Sequence, residues 1–317
     1  MNTSLECRIS ILQDRGAMLS CVRSFFKERN VLEVDCPALS QAAPIDAHID
    51  VMHIAMGKET GYLHTSPEYG MKRLLSEGIG DIYQLSHVFR REECGRLHNP
   101  EFMMAEWYRV GFSFDALIDE TIDFIRLFIR DPLIRTYTYR EALKKYTGID
   151  YVTITRKELG AKTLALIPHL PSAALEWNKD TLLNCLMSFV VEPQLSEDEF
   201  SIIKYFPASQ AALSQTTAID QERVAKRFEI YYKGIELANG YHELTCPLEQ
   251  RRRFIASNEC RLNSGKEALP IDENLIKALE RGLPDCCGVA VGFDRLMLLR
   301  HNKDHLEEIL PFSWPNA

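Results

Sequence analysis

The chain has 317 residues, of which 46% are hydrophobic and 26% charged, a composition typical of a globular protein. Its formal net charge of −8 argues against an extended nucleic-acid surface, and no apolar run of about 18 residues indicates a membrane span. The nine cysteines are scattered, odd in number and without a C-x-x-C pair, which indicates reduced thiols and a cytoplasmic protein.

Periodic patterns in the first 130 residues alternate between helix and strand. They predict a helix over 8–29, a strand at VLEVD that Pro37 ends, a helix over 67–76, strands at 82–90 and 101–109, and a helix over 114–130. Pro67 is a favourable first-turn residue for the second of these helices. In the strand 101–109, Glu106 and Tyr108 lie on one face, because side chains alternate along a strand.

The pattern weakens from about 131 to 200, which we interpret as an insertion into a single catalytic domain spanning 1–317. Strand patterns return at 201–207 and 226–238, helices are predicted at 247–264 and 272–281, and GVAVGFDRLMLL is typical of a strand, a turn and a helix. Runs of strands with few intervening helices predict an α+β fold in which helices flank an antiparallel sheet.

The segment FRREECGRLHNPEF combines two strand ends with a charged loop. An arginine at a strand end, Arg90, would meet a phosphate with two parallel hydrogen bonds. Phe102 at the start of the return strand would stack on a flat base, whose edges Glu92 and Asn99 would hydrogen-bond. The alternative is a hairpin with a solvated, charged turn.

The segment GIELANGYHEL places Glu236 and Glu243 seven residues apart. Positions seven apart on an unbroken strand face opposite sides, so a bend or bulge near Asn239–Gly240 is expected if the carboxylates converge. Converging carboxylates suit a Mg²⁺ ion that carries triphosphate oxygens. The alternative is a bulged edge strand with exposed glutamates.

In GVAVGFDRL, Gly292 would let the backbone approach a ligand closely, and the following helix presents its N-terminus to anions with Arg295 in the first turn. The alternative is a strand-to-helix turn capped by Asp294.

Taken in chain order, these segments resemble motif 2, the metal-binding strand and motif 3 of the class II aminoacyl-tRNA synthetases. LEVDCPAL is similar to motif 1, with Pro37 as its proline, and TSPEYGMKRLL resembles a segment of the lysine-specific branch. The resemblance extends over residues 8–310. It implies a class II catalytic core that uses ATP and Mg²⁺ and forms a homodimer through motif 1.

The resemblance also implies roles for individual residues. The amino-acid pocket would be lined by Ser66, Pro67, Glu68, Tyr108 and Glu243. ATP would be held by Arg90, Arg91, Glu92, Asn99, Phe102, Glu236, Leu237, Gly292 and Arg295, with Arg90 and Arg295 as the catalytic arginines. Glu236 and Glu243 would bind the metal ion, and whether Glu243 serves the metal, the amino acid or both is left open.

Motif 1 begins close to the start of the chain, so no anticodon-binding domain is expected before it. KYFPASQAALS and KGIELANGYHEL are similar to segments of the elongation factor P lysine ligases, a branch of the family that modifies a lysine side chain of elongation factor P. This resemblance implies a ligase that takes lysine or (R)-β-lysine, has elongation factor P as its acceptor and does not act on tRNA. The alternative is a minimal lysyl-tRNA synthetase-like enzyme acting on RNA. An intact set of ATP residues argues against an inactive relic.

The expected pocket carries two glutamates, Glu68 and Glu243, which fit a diamino substrate because buried carboxylates need cationic partners. Ala290 in motif 3 stands where lysyl-tRNA synthetases generally have glycine. Its methyl group is expected beside the substrate backbone, where it would favour β-lysine over α-lysine, and the alternative is that it only packs against the sheet. The resemblance does not place the C-terminal segment PFSWPNA.

Overall fold

The computed structural model describes the backbone from Thr3 and the side chains from Glu6 to Ala317. The chain folds into two compact units, Met1–Arg130 together with His242–Ala317, and Asp131–Tyr241. The predicted insertion at 131–200 lies within the second unit. Among the described residues, no helix has both the length and the apolar character that crossing a bilayer requires.

The helices and strands follow in chain order. Residues up to 130 form α1 (Thr3–Glu28), β1 (Leu32–Glu33), β2 (Leu39–Ser40), β3 (His53–Met56), β4 (Glu59–Leu63), α2 (Glu68–Leu75), β5 (Ile82–Phe89), β6 (Glu101–Val110) and α3 (Phe114–Ile125). The second unit contains β7 (Leu133–Thr138), α4 (Tyr139–Thr147), α5 (Arg156–Leu166), α6 (Lys179–Leu186), β8 (Glu199–Pro207), β9 (Thr216–Ile219), β10 (Glu222–Tyr232) and β11 (Ile235–His242). The remaining elements are α7 (Pro247–Asn263), α8 (Glu273–Gly282), β12 (Cys286–Gly292) and α9 (Phe293–Arg300).

In the first unit, β6 is an inner strand of the sheet. It pairs antiparallel with β5 along one edge and with β12 along the other. β1 runs parallel to β5, and the short strands β2, β4 and β3 form a separate antiparallel sheet. Side chains on β6 are therefore held by hydrogen-bonded backbone on both sides, which fixes their positions closely.

Aromatic packing closes one face of β6. Trp107 meets Phe26 of α1 and Phe124 of α3, with ring centroids 5.3 and 5.0 Å away. The indole nitrogen of Trp107 donates to Oε2 of Glu120 at 3.0 Å, so its polar atom is satisfied in the core. Since side chains alternate along a strand, Glu106 and Tyr108 point away from this core.

The second unit has a hydrophobic core of its own. β10 pairs antiparallel with β11, β8 and β9, and β7 runs parallel to β8. Helices α4 and α6 contribute buried apolar side chains such as Leu143 and Leu183 to a core that includes Ile203 and Phe206 of β8.

The single strand pattern predicted at 226–238 is wrong, because this stretch is a hairpin of β10 and β11. Lys233 and Gly234 form the turn with φ values of 52° and 70°. Two successive residues with positive φ are typical of the tight hairpin turns that match the strand twist.

The predicted α+β fold class is confirmed, with mostly antiparallel pairing and parallel pairs at β1–β5 and β7–β8. The predicted strands at 82–90 and 101–109 and the helices at 247–264 and 272–281 agree with the structure to within about two residues, which is the usual uncertainty of element ends. Helix α1 begins earlier than predicted, α3 ends at Ile125, and Pro67 is the N-cap of α2 instead of a first-turn residue.

Candidate active site

Three buried carboxylates and one buried lysine form a cluster in the first unit. Glu68, Glu106 and Glu243 are 8%, 2% and 1% exposed, and Lys72 is 1% exposed. The Nζ atom of Lys72 lies 2.5 Å from Oε1 of Glu68 and 2.5 Å from Oε2 of Glu243. The spacing of four residues brings Glu68 and Lys72 to one face of α2. Glu243 is held by its backbone N–H, which donates to the carbonyl oxygen of Cys286 on β12 at 3.0 Å.

Glu106 belongs to the same cluster, and its carboxylate contacts hydroxyl groups. Its Oε2 accepts a hydrogen bond from Ser66 Oγ at 2.7 Å, and its Oε1 accepts one from Tyr108 Oη at 2.7 Å. Burial and the negative charge of Glu68 raise the pKa of Glu106 to about 7. Two neutral donors stabilise the carboxylate less than a cation would, so a positive ligand would find an unneutralised partner here.

The charges of the cluster do not balance. Burial raises the pKa of Glu243 to about 8, against the opposing effect of Lys72 and with the help of Glu68. Burial alone would lower the pKa of Lys72, but Glu243 and Glu68 raise it above its usual value, so Lys72 is charged. When all three glutamates are ionised, the cluster carries a net charge of two negative units. Ions buried without counter-charges are costly, and the cluster is therefore suited to bind cations.

Strand β12 forms one side of this cluster. Gly288 lies opposite Tyr108 and Ala290 opposite Glu106 in the β12–β6 pairing. A Cβ atom at position 288 would lie 2.3 Å from Cε1 of Tyr108 and 2.6 Å from Oε1 of Glu243. Only glycine fits there, and the flanking positions on the same face of β12 are Cys286 and Ala290.

The β5–β6 loop, residues 90–100, brings Arg90 and Phe102 together. The guanidinium carbon of Arg90 lies 5.0 Å from the ring centroid of Phe102, a cation–π distance. The backbone N–H of Arg90 donates to the Pro100 carbonyl oxygen at 2.9 Å. The buried Nε of Arg90 has no hydrogen-bond partner among the described residues. Glu93 lies 3.8 Å from its Nη1, so the guanidinium has one weak anionic neighbour.

Arg295 lies in the first turn of α9, after the N-cap Gly292, and contacts the same loop. Its Nη2 lies 3.0 Å from Nε2 of His98, and partial burial and Arg295 lower the pKa of His98. A neutral His98 accepts this hydrogen bond. Asp294 is not an N-cap: it is buried, and its carboxylate accepts from the Met103 N–H at 2.8 Å and from Arg15 at 2.5 Å. These contacts tie α9 to β6.

The other residues predicted from motif 2 differ in exposure. Arg91 and Glu92 are exposed, with Arg91 Nε 3.3 Å from Glu92 Oε1, and Glu92 has a φ of 65°. A positive φ is uncommon for a residue with a side chain and often marks a functional loop. Asn99 is buried, and its amide donates to the Glu101 carbonyl oxygen at 2.6 Å and accepts from the Trp314 N–H at 2.9 Å. The side chain predicted to read a base edge therefore has both polar atoms in contact with protein.

Glu236 and Leu237 belong to the second unit. The pairing of β10 with β11 shifts register at Leu237, because Ile230 lies opposite Ala238 and Tyr231 opposite Glu236. The bulge predicted near Asn239–Gly240 is wrong in position, since both residues pair regularly. The grouping of Glu236 with Glu243 around a metal stays a prediction.

The neighbours of Glu236 on β10 form a buried polar network. Arg227 Nη2 lies 2.5 Å from Oε1 of Glu229, and the Tyr231 hydroxyl donates to the other oxygen of Glu229. Among the residues that the structure describes, no three His, Cys, Asp or Glu side chains are grouped so as to hold a metal ion by themselves. A magnesium ion here would need phosphate or water oxygens as further ligands.

Of the predicted pocket residues, the structure brings together Ser66, Glu68, Tyr108 and Glu243 with Ala290 on the adjacent strand, and Pro67 begins the helix that carries Glu68. Sequence reasoning missed Lys72, Glu106 and Gly288. A signal existed for Glu106, because a glutamate inside the apolar strand FMMAEWY shares a face with Tyr108. Lys72 stands four residues after Glu68, a spacing that would have indicated a pair.

Comparisons with known proteins show similarity to one family of enzymes. Residues 4–315 match the family of class II tRNA synthetases (D, K and N). The chain is 46% identical to the elongation factor P–(R)-β-lysine ligase of Vibrio cholerae serotype O1, over 98% of this chain and 97% of that protein. It is 43% identical to the proteins of the same name from Vibrio parahaemolyticus serotype O3:K6, over all of both chains, and from Edwardsiella ictaluri, over 98% and 96%.

Proposed function

The chain belongs to the class II tRNA synthetases (D, K and N), and from this premise we propose that it is an ATP-dependent ligase for a lysine-like diamino acid. The amino acid is activated as its adenylate and then transferred to a lysine side chain of elongation factor P. The support comes from relatives named elongation factor P–(R)-β-lysine ligase, which are 43–46% identical over nearly the whole chain. Their name supports elongation factor P as the acceptor and a lysine or (R)-β-lysine as the amino acid.

The charge of the glutamate cluster carries the proposal. With all three carboxylates ionised, Glu68, Glu106 and Glu243 together with Lys72 leave two negative charges in a space that is almost closed to solvent. Lysine and β-lysine each carry two ammonium groups, so either one offers a cationic partner to each of the two unneutralised carboxylates. An amino acid with a single ammonium group leaves one buried carboxylate unpaired, which is the kind of deficit that gives strong discrimination.

The activation step needs charge stabilisation at phosphate. A carboxylate oxygen of the amino acid attacks the α-phosphorus of ATP, and pyrophosphate leaves with the bonding electrons. Arg90 and Arg295 are the proposed cationic partners of the phosphates, and Phe102 the surface on which adenine stacks. The position of Arg90 over Phe102 and the unpartnered Arg90 Nε support this assignment.

The transfer step needs an amine acceptor and no covalent enzyme intermediate. The acceptor lysine amine attacks the acyl carbon of the mixed anhydride, an amide bond forms, AMP leaves, and one proton is released. Positioning of the two reactants supplies most of what the protein contributes.

We assign Glu243 to the amino-acid pocket and Glu236 to the Mg²⁺ ion that accompanies ATP. The support for Glu243 is its contact with Lys72 and its nearly complete burial, which favour an ammonium partner over a hydrated metal. Magnesium bound through Glu236 and the ATP phosphates would reduce the negative charge that the attacking carboxylate approaches.

A homodimer formed through motif 1 is part of the proposal. Leu32, Leu39, Ile54 and Met56, on β1, β2 and β3, are large apolar side chains with at least 38% of their surface exposed. Apolar groups of this kind are typical of association surfaces. Sedimentation velocity of the full chain tests this part, and a single monomeric species at micromolar concentration would contradict it.

Lysine-dependent exchange of pyrophosphate into ATP without RNA tests the activation step. Mass spectrometry of elongation factor P after incubation with enzyme, ATP and each lysine isomer tests the transfer step, which we expect to add one acyl group. Exchange that appears only after tRNA is added would favour the alternative, a minimal lysyl-tRNA synthetase-like enzyme. Nine free cysteines among the described residues support a reducing, cytoplasmic location.

A further inference from the structure

A segment with no motif assignment contacts the proposed ATP loop. Residues 305–316, here called the clamp segment, donate two backbone hydrogen bonds to the β5–β6 loop. The Leu306 N–H donates to the Arg96 carbonyl oxygen at 3.0 Å, and the Trp314 N–H donates to Oδ1 of Asn99 at 2.9 Å. The two contacts hold the outer part of the loop and the residue that leads into β6.

The clamp segment is itself firmly attached to the first unit. Leu306, Ile309, Leu310 and Ser313 are buried, and Arg8 of α1 donates a hydrogen bond to the Pro311 carbonyl oxygen. A cavity of about 260 Å³ remains between the loop and the segment, lined by residues of both. The two hydrogen bonds restrain the loop at Arg96 and Asn99, beside this unpacked space.

The contact with Trp314 fixes the orientation of the Asn99 amide. Nδ2 of Asn99 donates to the Glu101 carbonyl oxygen at 2.6 Å, and Oδ1 accepts from Trp314. A flipped amide would place donor against donor and acceptor against acceptor, so only one orientation satisfies both neighbours. One N–H of Asn99 is then left to point in a single, fixed direction.

We propose that Trp314 is a positioning residue for ATP binding, and that its backbone N–H acts through the Asn99 amide on the β5–β6 loop. The inference rests on the proposed function, in which Arg90, Asn99 and Phe102 belong to the ATP site. It gives a role to the PFSWPNA segment, which the resemblance of the motifs left unplaced. The Trp314 side chain has no part in this role, because it is 65% exposed.

The geometry allows the N–H to be deleted alone. Trp314 is the first residue of a short 3-10 helix, a position at which proline is well tolerated. Ser313 before it has φ −85° and ψ 162°, the extended conformation that proline requires of the preceding residue. Trp314→Pro therefore removes the donor with little strain, and Trp314→Ala, which keeps the N–H, is the matched control.

The experiment measures the affinity for MgATP alone by isothermal titration calorimetry, together with the KM values for ATP and lysine in pyrophosphate exchange. Trp314→Ala should bind ATP like wild type. Trp314→Pro should weaken ATP binding by about 3- to 10-fold, the equivalent of one hydrogen bond, with an unchanged KM for lysine. A chain that ends at Ser313 lacks the same N–H and should reproduce the effect if Trp314→Pro does not fold.

A double-mutant cycle with Asn99→Ala distinguishes a role of the Trp314 N–H in positioning Asn99 from a general effect of residue 314 on the fold. In that background Trp314→Pro should add less than a twofold change, because the acceptor is already gone. Equal ATP affinity of the proline and alanine variants, a parallel rise of both KM values, or multiplicative effects in the cycle would each overturn the inference. The ATP titration requires no amino acid, so its outcome is independent of whether wild type shows lysine-dependent exchange.

Discussion

Glu106→Gln is the sharpest test of the proposed pocket, because Glu106 is the carboxylate that contacts hydroxyls and no cation. The substitution keeps the shape of the side chain and removes one negative charge. It lowers the net charge of the cluster from two negative units to one. We therefore expect the variant to lose affinity for the second ammonium group of lysine while its fold stays intact.

The expected loss follows from the burial of the site. Glu106 is 2% exposed, so solvent screens its contact with an ammonium group only weakly. A hydrogen bond to a charged group contributes about 1.5–3 kcal/mol, and breaking a buried ion pair costs about 3–5 kcal/mol. Since glutamine still offers one acceptor oxygen, we expect about 2–4 kcal/mol, which is roughly a 30- to 1000-fold loss in kcat/KM.

Stability should change in the opposite direction. The pKa of Glu106 in the folded protein, about 7, lies above that of an unfolded glutamate, so its favourable contribution is present at low pH and is lost as pH rises through 7. Glutamine cannot ionise. At pH 8–9 and without substrate, the variant should therefore melt at the same temperature as wild type or higher, which separates loss of binding from loss of fold.

The assay is pyrophosphate exchange with lysine and with norleucine, which lacks the distal ammonium group. Wild type should discriminate strongly between them, and Glu106→Gln should reduce that ratio by the same factor that it loses for lysine. Glu101→Gln, on the same strand with 53% of its side chain exposed, is the matched control and should behave like wild type. Retention of kcat/KM for lysine within threefold in Glu106→Gln would refute the charge argument.

Three further predictions concern the same unit. Arg90→Ala should abolish exchange with an unchanged circular dichroism spectrum, and exchange at the wild-type rate would exclude Arg90 from the phosphate site. The KM for lysine should fall as pH rises from 6 to about 8.5, because Glu106 and Glu243, with pKa values raised to about 7 and about 8, must ionise to bind ammonium. Calorimetry of lysine binding in buffers of different ionisation enthalpy should show that binding releases protons. A KM for lysine that does not change with pH would contradict the prediction. Ala290→Gly should raise kcat/KM for α-lysine relative to β-lysine by about 10- to 200-fold. An unchanged ratio would mean that the Ala290 methyl group only packs against the sheet.

The parts of the fold that could be predicted are those with a strong local period. The ends of β5, β6, α7 and α8 agree with the structure to within about two residues. The clearest period is that of α8, which buries Leu275, Ile276 and Leu279 along one face. The hairpin at Lys233–Gly234 was missed because apolar residues continue on both sides of a two-residue turn. The bulge lies at Leu237 and not at the predicted Asn239–Gly240, because β11 shifts register at a buried leucine, whereas glycine is the usual sequence marker of a bulge.

The predicted pocket residues came from motifs, and motifs do not show the balance of charges. Glu68 and Glu243 were predicted as two acidic groups for two ammonium groups, which would have left no role for a third carboxylate. In the structure Lys72 contacts both of them, so together they provide one unneutralised charge, and Glu106 provides the other. In the proposed function, the preference for a diamino substrate therefore depends on four residues. These residues lie in three segments of the sequence, α2, β6 and the residue after β11, and those in different segments are more than 30 residues apart. The sum of their charges becomes visible only when the fold brings these segments together.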